Sequence, residues 1–527
     1  MEKQLGSLPV IADYCDRLGI AEVIDGICPI RDVAIVTHGR VIEALVANRL
    51  TSPTPLLHVE DWARQWAVPE IFGIDPATLN DDRVGRALDA IAPELEAIVG
   101  SVGARAIAGF GIDVSRLHWD MTSISLFGAY DSPEEGFAEP RYGKPKDRRP
   151  DLKQIQTGLA VAGDGGIPVF HRAYDGGAAE IAQVTAAMEA LAKMAGPRKF
   201  LLVGDSKLIS YTNLKAFTDA GVTFIAPAPK AYAPAQLLAA QDLAAATAVD
   251  YVAERDADKP AAKRGSWRAA ADTMIIVGPR KSDPSIPLRR IFVHSSARAA
   301  AAAHARDKKL DRARGDLERL GRGLGGRHYP DVAAVEARIA QIARERKVKA
   351  YLTATVGTTE AGKPTLEWSF DPAAIAAETT TDGWYALLTN LDDHIDPAEI
   401  LRRYKGQEAV ERRYGNFKGP LAVAPIFVKS NRRLEALITV ICLALLIFSL
   451  IEREVRRAIA PQTTMTGIYP ENRPVKPTGR LILAALATMR LIPATRGQPP
   501  IIPRPRPNQL HLLQLLDIDP TSLIHTP

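Results

Sequence analysis

The sequence predicts a mixed α/β fold that follows a helical region and is interrupted by an α+β insertion. Three observations predict it. Apolar residues recur at helical spacing up to about residue 108; strand-like runs then surround one helical segment up to about residue 245; beyond that the pattern changes to paired strands and charged helices.

Residues 1–108 carry the helical periodicity, in "VIADYCDRLGIAEVID" and "GRVIEALVANRL", with the turn-rich "TSPTP" between segments. In residues 109–245, "RLHWDMTSISLFG", "IQTGLAVAG", "GIPVFHRAY" and "KFLLVGD" read as strands, with the helix "EIAQVTAAMEALAKMA" before the last. Strands followed by a crossover helix imply a mixed sheet. Residues 246–380 hold a strand pair, "TMIIVGP" and "RRIFVHSS", then two charged helices separated by "GLGGRHYP", then the hairpin "KAYLTATVG" and "KPTLEWSF". This block reads as an insertion between two parts of one domain. Residues 381–458 resume with "DGWYALLTNL", enter a charged helix over 404–420 and end in the apolar "ALITVICLALLIFSLI". Residues 459–527 are rich in proline, as in "GQPPIIPRPRP", and are expected to be irregular.

Length and composition narrow the class. A chain of 527 residues has room for roughly three domains, and 46% apolar with 24% charged residues is the balance of a folded soluble protein. The net charge of +5 permits a polyanionic partner without requiring one. Its distribution says more: Leu401 to Glu435 holds nine Lys and Arg against three Glu. Cys15, Cys28 and Cys442 are too scattered for a disulfide framework or a zinc site, which suits a reducing cytoplasm. The opening "MEKQLGSLPVIADY" lacks the basic and apolar regions of a signal peptide. The apolar run at 436–451 has 16 residues where a span needs about 20, so a buried core helix is expected rather than a membrane segment.

Three acids stand out. Asp120 follows the strand-like "RLHW", and Asp205 ends the apolar "KFLLVGD" beside Gly204, which removes bulk there. Each is open to an ordinary reading as a turn residue or helix cap. Glu411 lies in a helix where Tyr404, Gln407, Glu411 and Lys418 fall on one stripe, the first, third and fourth seven residues apart. Alone, that stripe is equally a solvated charged face. Carboxylates gathered in a cleft repel one another, and hard divalent cations relieve the repulsion. Two such ions can activate a hydroxyl on one side of a phosphodiester and stabilise the leaving oxygen on the other.

With these residues the chain resembles the bacterial insertion-sequence DDE transposases of the insertion-sequence-four superfamily. The resemblance is to the branch marked by Tyr, two residues, Arg, three residues, Glu, six residues, Lys. Tyr404, Gln407, Glu411 and Lys418 match every spacing, with Gln407 in the arginine position. "WDMTS", "KDRRPDLKQ", "VGDSKL" and "DGWYALLTN" are further marks, and "IADYCDRLGIAEVIDGI" and "LNDDRVGRALDAI" look like the opening domain of one subgroup.

The resemblance implies an RNase H-like catalytic domain, with the gap of 206 positions from Asp205 to Glu411 accommodating the insertion. It implies that Asp120, Asp205 and Glu411 bind two Mg²⁺ ions, replaceable by Mn²⁺, for strand cleavage and for attack of a 3′-hydroxyl on target DNA. Tyr404 and Lys418 would contact phosphates of the transposon end. Gln407 cannot form the charged fork of an arginine, and Arg403 or Arg412 would compensate. The implied partner is double-stranded DNA, as terminal inverted repeats and target, held by a homodimer in a synaptic complex; the expected location is the cytoplasm, at the nucleoid. Two rival readings are a catalytically inactive DNA-binding descendant and a non-transposing nuclease on the same fold.

Other residues have two readings each. Arg312, Arg314, Arg319 and Arg322 would lie along DNA phosphates or solvate a helical hairpin. The resemblance to transposases implies that an aromatic of the insertion stacks on a flipped base, a place Trp267 or Trp368 would take; the other reading of each is packing. "THGRVIEALVANRL" has the periodicity of a helix-turn-helix element, which makes the N-terminal region a candidate for DNA binding. His118 is expected to be structural.

Overall fold

The computed structural model describes residues 2–30, 34–143, 145–196, 198–253, 256–257, 259–421, 426, 428–495 and 498–524. Two units emerge, one formed by Met1–Phe224 with Lys405–Pro527 and the other by Ile225–Tyr404.

After a two-residue strand β1 (Lys3–Gln4), the first unit opens with seven helices: α1 (Leu8–Leu18), α2 (Ile20–Ile27), α3 (His38–Thr51), α4 (Val59–Gln65), α5 (Val68–Phe72), α6 (Asp81–Ile91) and α7 (Leu95–Phe110). Pro9 occupies the first turn of α1, where its missing N–H costs nothing, and Gly19 closes that helix at φ 60°. α3 is started by Thr37, whose side chain accepts from the Arg40 amide. It is buried continuously from Val41 to Leu50. That corrects the helix-turn-helix expectation for this segment: a helix enclosed on all sides offers no face to a DNA groove.

The sheet of this unit comprises β2 (Arg116–Leu126), β3 (Lys153–Ala162), β4 (Pro168–Tyr174) and, after helix α8 (Glu180–Ala195), β5 (Leu201–Val203). Its order is β4-β3-β2-β5, antiparallel at the first two junctions and parallel between β2 and β5. The crossover helix α8 makes the parallel pairing possible. Asp120 therefore lies in the middle of β2, not at a strand's end as the sequence suggested; "MTSISL" continues the ladder to Leu126.

After α9 (Tyr211–Asp219), strand β6 (Thr223–Pro227) carries the chain into the second unit. There follow α10 (Ala235–Ala239), β7 (Thr247–Val249), β8 (Trp267–Ile276), β9 (Ile286–Ser295), α11 (Ser296–Arg322), α12 (Val332–Glu345), β10 (Leu352–Thr358), β11 (Pro364–Phe370), α13 (Pro372–Thr379), β12 (Trp384–Thr389) and α14 (Pro397–Lys405). β12 pairs antiparallel with β6 and β9, and β8 with β9 and β7. The hairpin β10–β11 and the helices α11 and α12 share a small core around Leu317, Val335, Ile342 and Tyr351. Trp368 packs on the edge of that core and Trp267 is buried in β8. Arg312, Arg314, Arg319 and Arg322 are all exposed, with Arg314 paired to Asp311 and Arg319 to Asp316.

The stretch 404–420 is not one helix. It divides into α14 and α15 (Glu408–Lys418), with Gly406 and Gln407 in the turn between them. Glycine's poor helix propensity favours the break there. α16 (Asn431–Ala458) then runs for 28 residues; it is long and apolar enough to cross a membrane, yet 94% of its apolar window is buried. It packs against α3, α6, α7 and β4, and forms the core helix the sequence predicted.

The proline-rich tail is more ordered than expected. It contains α17 (Gly479–Leu486), β13 (Arg490–Leu491), which pairs with β1, and α18 (Pro507–Leu515). Ile482 and Leu486, one turn apart, bury one face of α17, and Pro507 starts α18 instead of breaking it.

Candidate active site

The parallel register of β2 and β5 pairs Arg116 with Leu201, Leu117 with Leu202 and His118 with Val203. Two residues further along each segment stand Asp120 and Asp205. Close approach is needed to keep them there: a Cβ on Gly204 would come within 2.8 Å of Leu208 and 3.2 Å of the Trp119 carbonyl. Asp205 caps the short 3-10 turn Ser206–Leu208, its Oδ1 accepting from the Lys207 amide at 2.8 Å. The ordinary capping role and a place in the site thus coincide.

Both carboxyls are held above their usual range. Burial pushes Asp120 up to about 6, opposed by Lys146 and reinforced by the charges of Asp205 and Glu180. Burial also raises Asp205, where Glu180 again adds to the shift and Lys207 and Lys146 oppose it. Lys146 Nζ stands 3.6 Å from Asp120 Oδ1 and donates to the Met121 carbonyl. Lys207 Nζ is drawn to Glu180 Oε2 at 2.7 Å. An acid pair is therefore flanked by two lysines and a third carboxylate.

Helix α15 is fastened along β2. Gln407 Nε2 donates to the Trp119 carbonyl at 3.1 Å, and its Oε1 lies 3.3 Å from Nδ1 of His118. The Tyr414 hydroxyl donates to the backbone carbonyls of Asp120 and Thr157, at 2.8 and 3.0 Å. Lys418 Nζ donates to the Ser123 carbonyl at 2.8 Å. Burial lowers the Lys418 ammonium, and Lys146 pushes it the same way. On the far side, Arg413 donates to the carbonyls of Gly165 and Gly166 and to Glu452 on α16.

The predicted residues are thus divided. Asp120, Asp205, Gln407 and Lys418 gather on β2 and its neighbours. Glu411 lies on α15, seven residues before Lys418, but is exposed. Tyr404 and Arg403 belong to α14 in the second unit, where Arg403 pairs with Glu399 at 2.8 Å; Arg412 is exposed. Among the described residues no three of His, Cys, Asp and Glu are grouped so as to hold a metal ion. Asp120 and Asp205 offer oxygen donors suited to a hard divalent cation, and their raised carboxyls are what such a charge would offset. His118 is wholly buried, and burial lowers its imidazole to about 4.

Residues 1–98 match DUF4277, a domain of unknown function. The DUF4277 match covers α1 to α6 and ends before Asp120, so it does not reach the acids. No curated protein matches the chain. Among solved structures it is similar to a piggyBac transposase in a synaptic complex with hairpin DNA, with 9% identity and a TM-score of 0.39 over 90% of this chain and 79% of that one. A score that low carries no argument. Neither similarity reaches the insertion-sequence-four superfamily.

Sequence reasoning did not single out Lys146, Glu180 or Tyr414. Lys146 opens the quoted "KDRRPDLKQ", and Tyr414 lies seven residues after Gln407, a spacing that repeats the stripe. Glu180 gives no local signal; it only begins α8.

Proposed function

We propose that the chain is a DDE transposase with an RNase H-like catalytic domain. It would cleave DNA at the ends of its element and join the freed 3′-hydroxyl to target DNA, as a homodimer in the bacterial cytoplasm. One observation carries the reading: Asp120 and Asp205 occupy matching positions on adjacent parallel segments, with carboxyls raised chiefly by burial and, at both, further by Glu180. The strand order, with an antiparallel three-stranded meander and a parallel neighbour reached through α8, is compatible with that domain.

Asp120 and Asp205 would hold Mg²⁺ or Mn²⁺, with Glu411 as the third acid that the transposase signature implies. Bound there, the ions supply an activated hydroxyl and charge stabilisation at the leaving oxygen. The chain itself contributes positive charge beside the acids, through Lys146 and Lys418, suited to draw in a phosphodiester. Tyr414 and Gln407 fix α15 against the strand that bears Asp120, which sets the distance between those charges.

The test is cleavage of duplex DNA bearing the element's own ends, in Mg²⁺ or Mn²⁺, by the wild type and by Asp120→Asn, Asp205→Asn and Glu411→Gln. Loss in all three is expected. Cleavage retained in all three overturns the reading. A second reading, an inactive DNA-binding descendant, is favoured by the exposure of Glu411 and by Gln407 being turned onto β2; it expects a gel shift with end DNA and no cleavage by the wild type.

A further inference from the structure

Away from the acids, the first unit contains a cavity of about 910 Å³ between the DUF4277 helices and the start of α16. Arg49, near the end of α3, lines it while being only 8% exposed. Its Nε is buried without a hydrogen-bond partner, and among the described residues its guanidinium makes no ion pair. Asp81 also lines the cavity but does not pair with it. Two acids of the surrounding helices are engaged elsewhere: Glu43 of α3 with Arg40 at 2.7 Å, and Asp89 of α6 with Arg433 at 2.7 Å and Arg432 at 3.1 Å. A charge taken out of water without a partner is costly, and a guanidinium is best satisfied by a carboxylate or phosphate that meets it with two oxygens.

The remaining lining indicates what such an anion would be attached to. Ser430, which caps α16 without a side-chain bond, has its Oγ buried and unpartnered there. Opposite in character are Leu57, 68% exposed, and Leu437, so the cavity offers apolar wall beside its polar groups. Its volume falls within the usual range for small-molecule sites.

We propose that this cavity binds a phosphate-bearing ligand of nucleotide size, with Arg49 gripping the phosphate, Ser430 donating to it and the leucines covering the base or sugar. The phosphate could be supplied by a free nucleotide or by one nucleotide of a DNA strand. The inference does not depend on the acids of β2 or on transposition.

The test uses the purified full-length chain, thermal unfolding and calorimetric titration with inorganic phosphate, a deoxynucleoside monophosphate and a short single-stranded oligonucleotide. The wild type is expected to bind the nucleotide or the oligonucleotide and to unfold at a higher temperature in its presence. Arg49→Met is expected to weaken that binding by about tenfold or more, the weight of one charge-assisted pair. Without ligand the same variant should unfold no earlier than the wild type, because it buries no unpaired charge; a merely structural arginine would give the opposite. If Arg49→Met does not fold, Arg49→Lys decides, since it keeps the charge and loses the fork, and must bind more weakly. Tighter binding of the oligonucleotide assigns the phosphate to a nucleic-acid strand, and tighter binding of the mononucleotide to a free nucleotide. The proposal is overturned if none of the probes binds, if Arg49→Met binds as well as the wild type, or if inorganic phosphate binds as tightly as either nucleotide.

Discussion

Lys146 Nζ stands 3.6 Å from Oδ1 of Asp120, although it lies 26 positions further along the chain, well beyond the end of β2. The pair is uneven. Asp120 is mostly enclosed while Lys146 is about half exposed, so the lysine moderates the carboxyl without neutralising the effect of its burial.

The first prediction concerns stability against pH. Asp120 holds its proton more tightly folded, at about 6, than at its ordinary 3.8, so ionising it costs stability. The cost is absent below the ordinary value, grows as pH rises to about 6 and is complete above that. Its size is on the order of 3 kcal/mol, at about 1.4 kcal/mol per unit. Asp120→Asn should therefore unfold at a higher temperature than the wild type near pH 7.5, with the difference vanishing near pH 4. An asparagine variant that is less stable at pH 7.5 would show that the carboxylate is favourably held.

Lys146→Ala should raise the Asp120 carboxyl further, because it removes the main cation opposing the shift. With a half-exposed lysine the change should stay below about one unit. Carboxyl ¹³C titration by NMR reads it directly. A downward movement would mean that Lys146 does not face Asp120 in solution.

Gln407 is used on both sides of its amide, which makes it more than a missing arginine. Gln407→Ala removes the bond to the Trp119 carbonyl and leaves Nδ1 of buried His118 without a partner. A loss of about 1–2 kcal/mol in denaturant unfolding is expected. Gln407→Arg should destabilise too, since it presses a larger, charged guanidinium against buried His118 and removes the oxygen that faces its Nδ1. Its affinity for end DNA should not rise. A stable arginine variant with tighter DNA binding would restore the phosphate-contact role for this position.

Arg413, among the largest fully buried side chains, joins α15 to the turn after β3 and to Glu452 of α16. Arg413→Ala should cost about 3–5 kcal/mol, as expected when one partner of a buried ion pair is removed. Glu452 keeps Arg456 at 2.9 Å and the Gly479 amide, which favours the lower end. Chemical denaturation followed by circular dichroism measures it, and a change under 1 kcal/mol would mean that water replaces the guanidinium.

What the sequence determined by itself was local. Helical spacing before residue 108, strand-like runs ending near Asp205 and the apolar core helix at 436–451 all appear as elements, because periodicity and propensity act within a few residues. Two of the acids were legible for the same reason: an acid closing or interrupting an apolar strand is visible one residue at a time. The tertiary structure decided the rest. Asp120 and Asp205 stand at matching positions only because β2 and β5 pair in parallel in one register, and a shift of one residue would turn either side chain to the other face. Lys146 and Glu180 join them from segments whose spacing carries no such information. The seven-residue stripe from Tyr404 to Lys418 looked like one helix, yet it breaks at Gly406 and Gln407, where the glutamine's bonds to β2 take the place of another helical turn. Electrostatics depends on distances through space, and those exist only once the chain has packed.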